Sequence, residues 1–250
     1  MAGAFLNFLA GFLIFFLLYL PTESYTTPVI DRFMDDFTGG GVGGLQAGDE
    51  VLSVDGYRIL FPQDITTALS RGDDTLYDIV VRRDGQRIRL TDVPIEKKPY
   101  ESDGETVWYY GFYFTAETSN LFTPFRIAWR SCLSVVRLVV ESLQMIVRGQ
   151  VTLNDFSGPV GITAVMSDVA KQSMSGFWYL AGLIAVNLAV MQLLPIPALD
   201  GGRLLFLGLE CIFRRKFSRR IEAYVNTVIF LLLMGFMLMV TFNDVWKLIR

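Results

Sequence analysis

Three stretches without a single charged residue, 4–20, 172–199 and 223–243, constrain this 250-residue chain more than any other feature. A hydrocarbon layer about 30 Å thick is crossed by roughly 20 apolar residues in a helix. The second and third stretches meet that length, and the first does if its ends snorkel. The first, "AFLNFLAGFLIFFLLYL", has no basic residues ahead of it and no small-residue cleavage site, so it reads as a span rather than a signal peptide. Hydrophobic residues make up 52% of the chain, high for a water-soluble globule and low for a protein wholly in lipid. The polar share is concentrated in residues 28–106, which hold 10 of the 22 glycines and the strand-like alternation. The fold class that follows is a multi-pass α-helical membrane protein with one inserted β-rich domain.

Composition also excludes. A net charge of −3 gives no basic field for nucleic acid. Cys132 and Cys211 are far apart in apolar, helix-like surroundings, which points to neither a disulfide nor a thiolate site. The chain contains no histidine, so any imidazole a mechanism needs must come from elsewhere.

Within the insert, the glycine-rich loop leads through "GLQAGD" into the alternating strand "EVLSVDG". "QDITTALSRG" places Ile65, Ala68 and Leu69 at helix spacing. "TLYDIVVRR" and "QRIRLTDV" flank Asp84-Gly85, a pair that supplies the positive φ of a tight hairpin turn. Strand, short helix and hairpin in this order resemble a PDZ domain, and "GLQAGDEVLSVDG" is similar to that family's most recognisable stretch. The resemblance implies binding of an extended peptide or C-terminus by strand addition. The loop Gly40, Gly41, Val42, Gly43, Gly44 and Leu45 is the expected place for it, with a flexible linker as the alternative. Residues 98–124, with "VWYYGFYFTAE", read as a further aromatic strand pair, either at the membrane interface or in ordinary sheet packing.

In "FRIAWRSCLSVVRLVVESLQMIVRG" the charges Arg126, Arg130, Arg137, Glu141 and Arg148 are spaced four, seven, four and seven. At about 100° per residue they form a stripe roughly 60° wide on an otherwise apolar helix. Burying several arginines near mid-bilayer costs about 2.5–3.5 kcal/mol each, so a membrane-surface helix is expected here. Arg214, Arg215, Lys216, Arg219 and Arg220 fall between the last two spans. Basic short loops stay cytoplasmic, which places the C-terminus outside. With the striped helix on the surface the insert is outside and the N-terminus inside, whereas a crossing helix would put the insert in the cytoplasm with the basic loop. The resulting division is span and linker 1–27, PDZ-like domain 28–97, β-rich connector 98–124, surface helix 125–150, and a two-span membrane domain 151–250.

The second apolar stretch ends in "LLPIPALDGGRLLF". Pro195 and Pro197 each remove an amide donor and break the helix. Non-helical backbone at membrane depth needs protein or a water-filled cavity around it. Asp200 stands beside the break, where an ionisable group is a functional candidate by default. A plain reading also stands: the helix ends at the prolines and Asp200 caps the next one.

"NLAVMQLLPIPALDGGRLLF" is very similar to the third-span motif of site-2 proteases, intramembrane zinc metalloproteases, in their bacterial RseP-like branch. "NDFSGPVGI" (154–162) resembles the segment after that family's PDZ region, and "AGAFLNF" (2–8) its "AGPxxNF" second-span opening, with Ala4 in place of Pro. The resemblance implies that Asp200 is the third zinc ligand and that the substrate backbone meets Asn187, Gln192 and the Pro195/Pro197 break. Gln192 stands where the family often has Asn, and for Asn187 and Gln192 interhelical hydrogen bonding is the alternative. It further implies Zn2+ as cofactor, single-span regulatory proteins or signal-peptide remnants as substrates, and a bacterial cytoplasmic membrane location. The family's HExxH, two histidines on one helix face with a glutamate base, is absent. The expectation is a C-terminal part whose histidine-bearing span lies elsewhere, as in a truncated or split enzyme. A non-catalytic, membrane-anchored, PDZ-containing binding protein is the alternative.

Overall fold

A computed structural model of the chain describes residues 2–41, 43–71, 75–102, 105–150, 158–213 and 219–249. Val42 of the glycine loop, residues 154–157 of "NDFSGPVGI" and residues 214–218 of the basic loop lie outside them. The helices are α1 (Ala2–Tyr19), α2 (Pro62–Leu69), α3 (Thr123–Val147), α4 (Pro159–Gln172), α5 (Met174–Leu193), α6 (Asp200–Phe213) and α7 (Arg219–Ile249). The strands are β1 (Ser24–Phe33), β2 (Glu50–Val54), β3 (Tyr57–Arg58), β4 (Leu76–Arg83), β5 (Gln86–Pro94), β6 (Lys98–Ser102), β7 (Glu105–Tyr109) and β8 (Phe112–Thr118). They form two compact units, a helical one from Met1–Pro21 with Phe122–Arg250 and a β-rich one from Thr22–Leu121.

In the helical unit, among the described residues, α1, α5 and the Ala223–Lys247 part of α7 are long and apolar enough to cross a membrane. These are the three stretches that the charge-free runs predict. Helices in lipid gain little from hydrophobic burial against each other, so they associate through close packing at small residues. The pairing of α1 with α5 follows that rule. A Cβ on Gly11 would stand 2.5 Å from Val186 Cγ2, and one on Gly182 would stand 2.8 Å from the Phe15 ring. Phe15 and Val186 are fully buried there. Helix α3 adds Ala128, Cys132, Val135 and Val139 to the same core. This buried stripe lies on the other side of α3 from its charged stripe, as the spacing requires.

The run read as beginning at residue 172 is divided. Ser173 is extended (φ −156°, ψ 122°), closes α4 and caps α5, its Oγ accepting from the Gly176 amide at 3.2 Å. Helix α4, which the sequence reading did not separate, starts at Pro159, where a missing amide hydrogen is no loss. Its first turn is held from outside: the Gly158 and Gly161 amides both donate to Asp244 Oδ2 on α7, each at 2.8 Å.

The β-rich unit is a sheet in the order β5-β4-β2-β1-β8, with β3 on β2 and a separate β6-β7 hairpin. The β4–β5 hairpin turns at Asp84 (φ 50°) and Gly85 (φ 79°), the geometry expected of Asp-Gly. Tyr77, Ile79 and Val81 alternate inward from β4 onto Ile65, Ala68 and Leu69 of α2, the three positions picked out by their spacing. Helix α2 starts cleanly because Asp64 Oδ2 accepts the Leu60 and Phe61 amides at 2.7 and 3.0 Å. The sheet draws on residues either side of 28–97: β8 pairs with β1 from Ser24↔Thr118 to Phe33↔Phe112. The aromatic stretch 112–118 is therefore sheet packing, with Phe112 and Phe114 against the core.

Candidate metal centre

Helix α5 ends at Leu193, and the loop carrying both prolines turns back so that Asp200 opens α6. The turn is possible because two glycines follow the aspartate. A Cβ on Gly201 would collide with the carbonyl oxygens of Leu193 and Leu194, and one on Gly202 with the Ile196 carbonyl and Pro197 Cα. The sequence Pro-x-Pro-x-x-Asp-Gly-Gly is thus a single object: proline ends one helix, and glycine lets the next begin against the returning backbone.

Asp200 is half-buried. Its Oδ2 and the Gln192 Oε1 converge on the first turn of α1, each 3.4 Å from where a Cβ on Gly3 would stand. One turn along α1, Asn7 Nδ2 donates to Gln192 Oε1 at 3.3 Å. Gln192 is therefore oriented by an amide from another helix, which is the interhelical hydrogen bond offered above as the alternative for it. Asp200 also lines a cleft of about 390 Å³ with Ala198, Leu199, Arg203, Asn226, Thr227 and Phe230. A helix N-terminus suits a carboxylate, and Asp200 stands at that of α6.

Of the residues predicted for the site, Asp200 and Gln192 come together, and Pro195 and Pro197 shape the loop between them. Asn187 is half-buried on α5 and lies about 140° around the helix from Gln192, on a different face. Gly3, Asn7 and Asn226 belong to the site and were not singled out from sequence. The quoted "AGAFLNF" contains the first two, but periodicity does not say which helix they would meet.

Among the described residues no three of His, Cys, Asp and Glu are grouped to hold a metal. Asp200 offers one hard oxygen ligand with an amide oxygen beside it. That fits one donor of a zinc site, whose usual complement is three protein ligands, and not a closed one.

Hydrogen bonds also cross the glycine loop. The amides of Gly41, Gly44 and Leu45 are donated within the loop, to Leu45 O, Gly41 O and Gly39 O at 3.3, 3.1 and 2.9 Å. Leu45 is buried in the core. An opening of about 1020 Å³ in the β-rich unit is lined by Thr26 and Arg32 of β1, Thr66 and Thr67 of α2, and Phe112 and Phe114 of β8.

The model of Peptidase family M50 matches residues 1–236. The chain is 32% identical over 251 residues to the "Regulator of sigma-W protease RasP" of Bacillus subtilis, covering 99% of this chain and 58% of that protein. It is 32% identical over 251 residues to the "Zinc metalloprotease RasP" of Bacillus licheniformis, covering 99% of this chain and 58% of that one. The protein of the same name from Geobacillus kaustophilus is 32% identical over 253 residues, covering 99% and 58%. The chain thus spans 58% of the length of these relatives. It belongs to Peptidase family M50, the zinc-dependent site-2 proteases.

Proposed function

We propose that these residues form the aspartate-bearing part of an intramembrane zinc metalloprotease. The observation that carries the reading is the half-buried carboxylate of Asp200, set by a double-proline break beside Gln192 and the first turn of α1. Asp200 would hold the zinc as one ligand, and a histidine-bearing segment outside these 250 residues would supply the others. Zinc in such a site polarises a carbonyl and lowers the pKa of a bound water. The residues of this chain hold the metal from one side and orient the Gln192 amide through Asn7. The irregular backbone at Pro195 and Pro197 gives a partly unwound substrate an edge to meet. Single-span regulatory proteins or signal-peptide remnants are the substrates this reading takes.

The Thr22–Leu121 unit we read as PDZ-like and outward-facing, with the basic loop around Arg219 and Arg220 cytoplasmic and the membrane that of a bacterial cell. Its peptide site takes in the cleft between α2 and β8. In support, β8 ends the sheet, an edge suited to strand addition, and Arg32 and Lys97 line the cleft with charge suited to a carboxylate.

The test is Asp200→Ala in the protein assembled with an HExxH-bearing span. Zinc content by elemental analysis and cleavage of a single-span reporter are both expected to fall to background. Undiminished zinc would return Asp200 to helix capping and favour the non-catalytic binding protein.

A further inference from the structure

The loop that carries Asp200 keeps its own hydrogen-bond accounts, with one exception. Leu194 donates to Met191 O at 3.2 Å, Ile196 to Leu194 O at 2.7 Å and Leu199 to Ile196 O at 3.1 Å. Pro195 and Pro197 have no amide hydrogen to place. The remaining donor, Ala198, leaves the loop: its amide reaches Asn226 Oδ1 on α7 at 2.9 Å, a bond between residues 28 apart. Ala198 also has φ 76°, a conformation that is unfavourable for any residue with a Cβ and persists only where the surroundings impose it. Asn226 lies inside the apolar Ala223–Lys247 stretch, where a polar side chain is best satisfied by a partner.

We infer that Asn226 is a positioning residue for the metal ligand: by accepting the Ala198 amide it fixes the left-handed residue two positions before Asp200 and so aims the carboxylate. The inference rests on the reading of Asp200 as a zinc ligand. Asn226 and Asp200 line the same cleft with Ala198 between them, so the coupling is through the loop backbone and not through the metal. Asn226 touches no reacting atom.

The experiment compares Asn226→Leu, which keeps the volume and removes the acceptor, with Asn226→Asp, which keeps the acceptor. Thr241→Val is the control for general weakening of α7, since its hydroxyl bonds only within that helix, to Met237 O at 2.8 Å. Amide hydrogen exchange of the 196–200 segment is followed by mass spectrometry on the 250-residue chain in lipid nanodiscs, where no zinc is needed. Asn226→Leu should exchange roughly tenfold faster, the change equivalent to one net hydrogen bond, while Asn226→Asp and Thr241→Val exchange as the wild type does. In the assembly with the HExxH-bearing span, Asn226→Leu should surrender zinc to a chelator roughly tenfold more readily, and Asn226→Asp should not. Unchanged exchange in Asn226→Leu overturns the inference, as does faster exchange with zinc retention unaltered. Equal acceleration by Thr241→Val overturns it as well. If Asp200→Ala itself retains zinc, the metal reading falls and the positioning role with it. A failure confined to Asn226 leaves Asp200→Ala without zinc.

Discussion

Asp49 is wholly buried, and both its carboxylate oxygens receive Arg83, Nε on Oδ1 and Nη2 on Oδ2, each at 2.7 Å. The Gln46 amide adds a third bond at 2.8 Å, and Arg83 Nη2 also reaches Gly44 O at 2.9 Å. One ion pair thus staples the glycine loop to strand β4. Removing one partner strands the other charge, so Asp49→Ala should cost about 3–5 kcal/mol in denaturant unfolding of the β-rich unit. The double replacement Asp49→Leu with Arg83→Met should recover much of that loss, because apolar pairs often replace buried ion pairs well. Asp78 is a contrasting exposed case: the Arg89 guanidinium at 2.7 Å, helped by the Asp92 amide, holds its carboxyl below the ordinary value of 3.8. A folded-state pKa below the unfolded one gives stability that is present above the ordinary value and lost as pH falls through the folded value. Asp78→Asn should therefore melt slightly below the wild type at neutral pH, and the difference should close in acid below about pH 4.

At the scale of elements, α4 depends on a carboxylate 83 and 86 residues away in sequence. Asp244 is buried, so losing its oxygens leaves the Gly158 and Gly161 amides unsatisfied, at about 1–3 kcal/mol. Asp244→Ala should speed amide exchange in the first turn of α4, while Asp244→Asn, which keeps an acceptor, should do so less. Local elements were legible where local chemistry decides them. Asp84-Gly85 made the hairpin, Ile65, Ala68 and Leu69 made α2, and Pro195, Pro197, Gly201 and Gly202 marked the break. What could not be read was which element answers which. Period 3.6 puts Asp244 and Asn226 on one face of α7, five turns apart, but does not say that one end of that face meets Gly158 and the other Ala198. For the same reason sequence alone leaves β8 in a connector: its alternation fits any strand, and its register is fixed by β1 partners 79 to 94 residues earlier (Phe33↔Phe112, Ser24↔Thr118). Ser173 was missed because one extended residue in an apolar run leaves hydropathy unchanged.

At the scale of the molecule, the β-rich unit has its own core, and so has the helical one. Under the proposed reading, replacing the whole Thr22–Leu121 unit by a flexible linker in the assembled enzyme should leave Asp200 able to hold zinc and should let substrates not yet trimmed outside be cleaved. Unchanged selectivity with zinc retained would show that the unit does no sorting. The seam between α1 and α5 bears on where anything could enter. With Phe15 seated on Gly182 and Val186 on Gly11, the two helices make one plank without play. Prising them apart would lift both joints at once. A path to the carboxylate between α1 and α5 would have to break both of those joints.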